Sequence, residues 1–212
     1  MKKTTIEILE NLFERYGALT CCRAQIEKAF GILLDTVQNG GTVFTCGNGG
    51  SASDAEHIVG ELMKKFTKAR PVDKKVCDKL KEFGEDGVTL TEVLEGAIPA
   101  ISLTSHISLS TAFSNDKCPT ATFAQQLYGL GKKGDVLIAI STSGNSQNCV
   151  YAIMLAKAKG LKTVSMTGEK ESKMSNLSDA TVRVPEIETF KVQEYHLPIY
   201  HAFCQMLENE VF

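Results

Sequence analysis

Residues 136–141 read VLIAIS, an almost wholly apolar run directly after Gly134-Asp135. A strand with one wet face would alternate apolar and polar residues. A continuous run marks a strand covered on both faces, as in a parallel sheet sandwiched between helices. Four other stretches are short, β-rich and bounded by turn residues: 42–46, 100–103, 161–167 and 180–184. Between them lie segments with apolar positions at helical spacing. Residues 3–17 and 20–38 are two N-terminal helices, the first with Ile6, Leu9, Leu12 and Phe13 on one face, the second stopped by Asn39-Gly40-Gly41. Further helices are expected at 51–65, 106–114, 119–130, 146–159 and 190–210. Pro198 inside the last removes a backbone donor and is expected to kink it.

Strands alternating with helices define an α/β chain: a three-layer sandwich around a central five-stranded parallel sheet. Residues 72–96, VDKKVCDKLKEFGEDGVTLTEVLEG, break the pattern. They are charge-rich and poor in β-branched runs, and are read as a small helical insertion with helices near 73–83 and 90–96. The whole chain, 1–212, is then a single domain carrying that insertion.

Bulk properties narrow the function. The chain has 212 residues, and its formal net charge of −2 gives no basic footprint for nucleic acid. No apolar run is long enough to cross a bilayer. The N-terminus, MKKTTIEILENLFERYG, is amphipathic and does not read as a signal peptide. Seven cysteines, at 21, 22, 46, 77, 118, 149 and 204, form no Cys-x-x-Cys pair. They read as reduced, mostly buried thiols of a cytoplasmic protein. Cys46 beside a glycine turn could instead be a reactive thiol, but packing is the better reading.

Two strand-to-helix turns carry chemistry. Cys46-Gly47-Asn48-Gly49-Gly50-Ser51 combines glycines, which allow close backbone approach, with a helix start that offers free N–H groups and a capping Ser51. It is neither a P-loop nor a dinucleotide fingerprint, and an ordinary tight turn explains it equally well. Ser141-Thr142-Ser143-Gly144-Asn145-Ser146 places four hydroxyls at the next such turn. A helix cap needs one of them. The surplus suits a phosphate monoester held by neutral donors. Two such turns without a lysine fit a sugar phosphate better than a nucleoside triphosphate.

His57 and Glu61 lie four residues apart, hence on one helix face. That spacing serves metal ligation or acid/base work, or merely a surface hydrogen bond. The last helix carries Gln193, Glu194, His196 and His201 in KVQEYHLPIYH. Gln193 and His201 are separated by ~12 Å of straight helix, so they share one ligand only if long side chains converge or the helix bends. Otherwise they serve different sites. His196 is a competing ligand or a helix-surface residue.

Taken together, CGNGGS-x-x-DA-x-H-x-x-x-E, ISTSGNS and VQE-x-H-x-x-x-x-H resemble the sugar isomerase (SIS) domain, whose fold is flavodoxin-like, and within it the phosphoheptose isomerases. The resemblance spans nearly the whole chain. It implies conversion of sedoheptulose 7-phosphate to D-glycero-D-manno-heptose 7-phosphate through an enediol. It implies that Ser51, Ser141, Thr142, Ser143 and Ser146 hold the phosphate and that Asn48, Gly49 and Gly50 line the sugar. Asp116 would lie on a loop beside the sugar. His57, Glu61, Gln193 and His201 would bind zinc, with Glu61 and His201 also moving the proton and Gln193 also meeting substrate. It further implies a homotetramer with sites at subunit interfaces. The chain departs from the family pattern in residues 72–96, and at Phe190, where a polar residue is expected. Lys191-Val192 replaces Arg-Ile. Alternatives within the same resemblance are a non-catalytic relative that binds a phosphosugar or a replication-initiation partner, and an isomerase of another phosphosugar.

Overall fold

The computed structural model describes residues 1–212. Five parallel strands form one sheet in the order β2-β1-β3-β4-β5. They are β1 (Val43–Cys46), β2 (Ala100–Ser102), β3 (Val136–Ile140), β4 (Lys162–Thr167) and β5 (Ala180–Arg183). The apolar run that suggested a doubly covered strand is β3, buried along its whole length at the centre of the sheet. Its side chains alternate between two cores. Val136, Ile138 and Ile140 join the larger, with α1 (Lys3–Arg15), α2 (Arg23–Gln38), α3 (Gly50–Met63) and α10 (Thr189–Val211). Leu137 and Ala139 face the smaller. There they meet α7 (Thr122–Leu130), α8 (Gln147–Ala158) and α9 (Lys173–Leu177). The expected three-layer α/β sandwich is present.

Chain order reverses across β1 and β3. From β1 the chain crosses to β2 on one side, then returns to β3 on the other. At such a switch point the loops leaving the two strands diverge and open a crevice at their carboxyl ends. The two turns singled out above are those loops.

Several boundaries differ from expectation for local reasons. The second N-terminal helix starts at Arg23, because a 3-10 turn, Gly17–Cys22, precedes it. Helix α6 (Ile107–Asp116) runs two residues further than 106–114, and a 3-10 turn at Pro119–Ala121 precedes α7. Helix α9 was not expected. It has five residues and is held by a reciprocal cap between Ser172 and Ser175. Helix α10 runs through Pro198 without a break, with Pro198 itself buried.

Residues 72–96 form two short helices, α4 (Lys74–Lys81) and α5 (Glu85–Val93), that pack on each other. Asp73 caps the first by accepting from the Lys75 and Val76 N–H groups. The second starts at Glu85 rather than 90, because Gly84, at φ 77°, turns the chain there. Gly87 lies against α4 so closely that an added Cβ would stand 1.8 Å from the Leu80 carbonyl oxygen. The ends of the hairpin meet at a neck, where the Gly96 N–H donates to the Arg70 carbonyl at 2.8 Å.

Arg70 is the anchor of that neck. Its guanidinium donates to the carbonyls of Glu61 and Leu62 in the last turn of α3, and to Glu208 of α10 at 2.7 Å. Glu208 also accepts from the N–H groups of Phe66, Thr67 and Lys68 and from the Thr67 hydroxyl. Both charges are buried, which is tolerable because so many donors and acceptors surround the pair. The network locks the C-terminal end of α3, where Glu61 sits, onto α10.

Candidate active site

The glycine turn and the serine turn meet at the β1/β3 crevice. The amides of Asn48 and Asn148 clasp across it, each side-chain NH2 donating to the other's oxygen at 2.9 and 2.8 Å. Gly47 is required by packing: a Cβ there would stand 2.3 Å from the Ser51 carbonyl oxygen. Gly49 adopts φ 55° to launch α3, and Gly144 adopts φ 64° with Ser172 pressed against it. Both turns need glycine for the shape of the crevice.

Between them opens a cavity of about 340 Å³. Asn48, Gly49, Gly50 and Ser51 line one wall, and Ser141, Thr142 and Ser146 the other. Thr189 and Gln193 of α10 close it. The starts of α3, α8 and α10 all border it, so free N–H groups and three positive dipole ends converge on a site without a lysine or arginine. The Ser141 and Ser146 hydroxyls are 2.9 Å apart, tied to each other across the turn. This is a cradle of neutral donors suited to a phosphate.

Not every expected residue falls there. Ser143 lines the adjoining cavity with Glu169 and Lys170. Asp116 ends α6 in an exposed position, where its oxygen accepts from the neighbouring Asn115 amide. Phe190 is exposed on the outer side of α10, and the polar side chain facing the cradle is its neighbour Thr189. Thr189 and Asn148 escaped the sequence reading. The first was masked by Phe190, and the second is two residues beyond the hydroxyl motif.

Along α3, away from the cradle, stands the titratable group. Helices α3 and α10 run side by side in the same direction. Gly50 touches the Gln193 amide, and two turns further His57 meets Tyr200 and His201. The His57 Nε2 lies 3.2 Å from Glu61 Oε1, and Lys64 approaches the other carboxylate oxygen at 3.4 Å. The imidazoles of His57 and His201 are 5.0 Å apart by centroid. Burial, and then the neighbouring His57, pull His201 below the ordinary imidazole value, so its ring is neutral near pH 7. Its Nε2 is buried without a hydrogen-bond partner. His201 also faces a groove of about 300 Å³ between α1 and α10, with Arg15 and Tyr16 on its rim.

Within one chain the four expected metal ligands split in two. His57, Glu61 and His201 gather, whereas Gln193 stays at the cradle. No group of three or more His, Cys, Asp or Glu side chains is arranged to hold a metal ion. The donors themselves suit zinc: two imidazoles, one with an orphaned nitrogen, and a carboxylate. His196 is neither ligand nor surface residue. It is fully buried, hydrogen-bonded to the Thr167 carbonyl at 3.3 Å, and burial lowers its pKa to about 4. Cys46 is buried too. A hydrogen bond with Cys149, and then burial, raise its thiol well above the ordinary value, which excludes the reactive-thiolate reading. All seven cysteines are free thiols.

A parallel sheet with a glycine turn and a hydroxyl turn at its switch point, and an acid/imidazole group beyond them, defines a phosphosugar-binding α/β domain. The chain belongs to the SIS domain family, whose model matches residues 16–82 and 79–168. Its curated relatives include the phosphoheptose isomerase of Akkermansia muciniphila, 33% identical over 94% of this chain and 92% of that one. Another is the phosphoheptose isomerase of Burkholderia pseudomallei, 36% identical over 89% of this chain and 83% of that one. The solved structure of a phosphoheptose isomerase from Francisella tularensis superposes with a TM-score of 0.74 at 25% identity, over 98% of this chain and 100% of that one. The two segments of the family match meet inside α4, in the helical hairpin.

Proposed function

We propose that the protein interconverts sedoheptulose 7-phosphate and D-glycero-D-manno-heptose 7-phosphate. The observation that carries this reading is the alignment of cradle and titratable group along α3. Ser51 and His57 are separated by ~9 Å of helix, comparable to the length of a seven-carbon chain. A phosphate held by Ser51, Ser141, Thr142 and Ser146, with Ser143 at the edge of the turn, directs the far end of the sugar toward Glu61 and His201. Asn48, Gly49 and Gly50 line the sugar, and Gln193 reaches it from α10. Asp116 would approach it from the end of α6.

The chemistry follows from the groups present. The Glu61 carboxylate removes the proton from the hydroxymethyl carbon of the ketose and returns it to the former carbonyl carbon, by way of a cis-enediol. The neutral His201 imidazole moves the hydroxyl proton between the two oxygens, which keeps the proton count closed. Phosphate binding distant from these carbons supplies orientation. His57, Glu61 and His201 are the donors that would hold zinc after their side chains close on a common point, which they do not do as they stand, and the ion would polarise the carbonyl. Gln193 would join the same ion only where a second subunit completes the site, which favours the homotetramer expected for such a protein. No helix is long and apolar enough to cross a membrane. With its free thiols, the chain is best read as a cytoplasmic enzyme acting on a phosphorylated sugar, without nucleic acid or membrane partner.

The test is direct. The purified protein, zinc-loaded or chelated, is incubated with sedoheptulose 7-phosphate, and aldoheptose phosphate is followed by mass-resolved chromatography. Conversion in the loaded sample supports the reading. No conversion by folded protein rejects it, and turnover of a pentose or hexose phosphate instead would reassign the substrate.

A further inference from the structure

Behind His57 lies a hydrogen-bonded pair that the proposed chemistry does not use. The buried Tyr200 hydroxyl donates to Asp54 Oδ1 at 3.2 Å and stands 3.0 Å from His57 Nδ1. Asp54 sits one turn before His57 on α3, and Tyr200 immediately precedes His201 on α10. The Tyr200 ring is 1% exposed, so its hydroxyl finds partners only within the protein.

With Asp54 ionised and His57 neutral, the direction of the Tyr200 bond fixes where the remaining protons lie. A carboxylate accepts and cannot donate. Tyr200 has one proton and gives it to Asp54. The remaining partner, His57 Nδ1, must then carry the hydrogen shared with the tyrosine oxygen. A neutral imidazole has one N–H, so Nε2 keeps its lone pair. That lone pair faces Glu61 Oε1 at 3.2 Å, which is also an acceptor. Two acceptors at that distance are stabilised only when a proton or a metal cation lies between them, and with the hydrogen held on Nδ1 the place is open to a cation.

We propose that Asp54 and Tyr200 are positioning residues that fix His57 in its Nδ1–H tautomer, so that Nε2 and the Glu61 carboxylate together receive a cation. A histidine that ligates a metal commonly donates its other N–H to an oxygen that sets its tautomer. Here the oxygen is a tyrosine's, and Asp54 sets the direction of the tyrosine's own proton. Cation binding at Nε2 rests on the isomerase reading above, whereas the tautomer is a property of the metal-free chain.

The test is a long-range proton–nitrogen spectrum of the histidine rings in the metal-free protein at about pH 8, above the ordinary imidazole pKa. The chain has four histidines, and His57→Gln assigns the relevant signals. The wild type is expected to show His57 with hydrogen on Nδ1. Asp54→Asn lets the new amide donate to Tyr200, reverses the tyrosine proton and moves the His57 hydrogen to Nε2. Tyr200→Phe removes the acceptor and gives a shift in the same direction. In both variants zinc alone, titrated by calorimetry, is expected to bind about 10–100-fold more weakly. A wild-type Nε2–H signal overturns the inference, even if the protein isomerises its substrate. So does an Asp54→Asn variant, shown folded by its spectrum, with tautomer and zinc affinity unchanged. An Nδ1–H wild type without turnover would reject the isomerase and keep the positioning role.

Discussion

The rings of His57 and His201 meet edge to face, their planes at 89°, although the two residues are far apart in the sequence. Their meeting depends on α3 and α10 running in parallel, in the register set by Gly50 against Gln193 and by Arg70 on Glu208. The titratable group is thus a product of helix packing, and its two halves are testable separately.

Glu61→Gln keeps the shape and the hydrogen-bonding reach of the side chain but removes the base. His201→Ala removes the imidazole. Either change is expected to lower kcat by on the order of 10²–10⁴-fold, with the thermal midpoint of unfolding little changed. Progress curves and a melting scan decide it. Turnover near the wild-type rate in either variant withdraws that residue from the proton transfer.

The cradle makes a different prediction, about affinity. Ser141→Ala removes one phosphate donor and leaves Ser146 without its partner at 2.9 Å. A hydrogen bond to a charged group contributes roughly 1.5–3 kcal/mol. The variant is therefore expected to lose about 10–150-fold in kcat/KM. The loss should vanish when sedoheptulose without phosphate is the substrate. An equal loss for both sugars would place Ser141 elsewhere in the mechanism.

How much of this was open to a sequence reading follows from the range of each determinant. The sheet was legible, because strands such as VLIAI are continuous apolar runs, and so were both turns. Helix α9 was not: five residues, KMSNL, carry no periodicity, and its cap pairs serine with serine. The split between Gln193 and His201 was foreseen as a distance problem, and the register of α3 against α10 keeps the two apart, Gln193 beside Gly50 and His201 beside His57. Thr189 was hidden because a one-residue rotation of α10 decides whether it or Phe190 faces the cradle. The Asp54–Tyr200 bond joins residues 146 apart and leaves no local signal.

Glu208 predicts how stability responds to acid. Burial pushes its carboxyl up, but the Phe66 and Thr67 N–H groups, the Thr67 hydroxyl and Arg70 outweigh burial and hold it below the ordinary value. A carboxylate with a depressed folded value stabilises the fold at pH above its unfolded pKa, near 4.3. That contribution fades as pH falls through the lower folded value. Glu208→Gln leaves buried Arg70 unpaired and is expected to cost about 3–5 kcal/mol at neutral pH. Denaturant titrations between neutral and acidic pH should show the two proteins converging in acid. A constant gap would mean the loss is one of packing, not charge.

The hairpin of α4 and α5 stands apart from both cores. It exposes Phe83, Val76, Val93 and Leu94 rather than burying them, and its helices pack on each other. Its two ends already meet where Gly96 donates to Arg70. Excising residues 73–93 and bridging Val72 to Leu94 with Gly-Gly should therefore leave the neck, the Glu95 bond to the Lys65 N–H and both cores in place. Apart from the Leu94 N–H bond to the Leu90 carbonyl, the hydrogen bonds that disappear are internal to the excised piece, and closing a shorter loop costs little entropy. The shortened protein is expected to melt within about 3 °C of the full chain, the shift that roughly 1 kcal/mol produces at this size. Its isomerase rate should match the full chain's if the hairpin is remote from the sugar. An unchanged midpoint with a changed KM would instead place the hairpin over the substrate, in this chain or a neighbouring one. A fall of about ten degrees or more, several times that shift, would make it part of the fold.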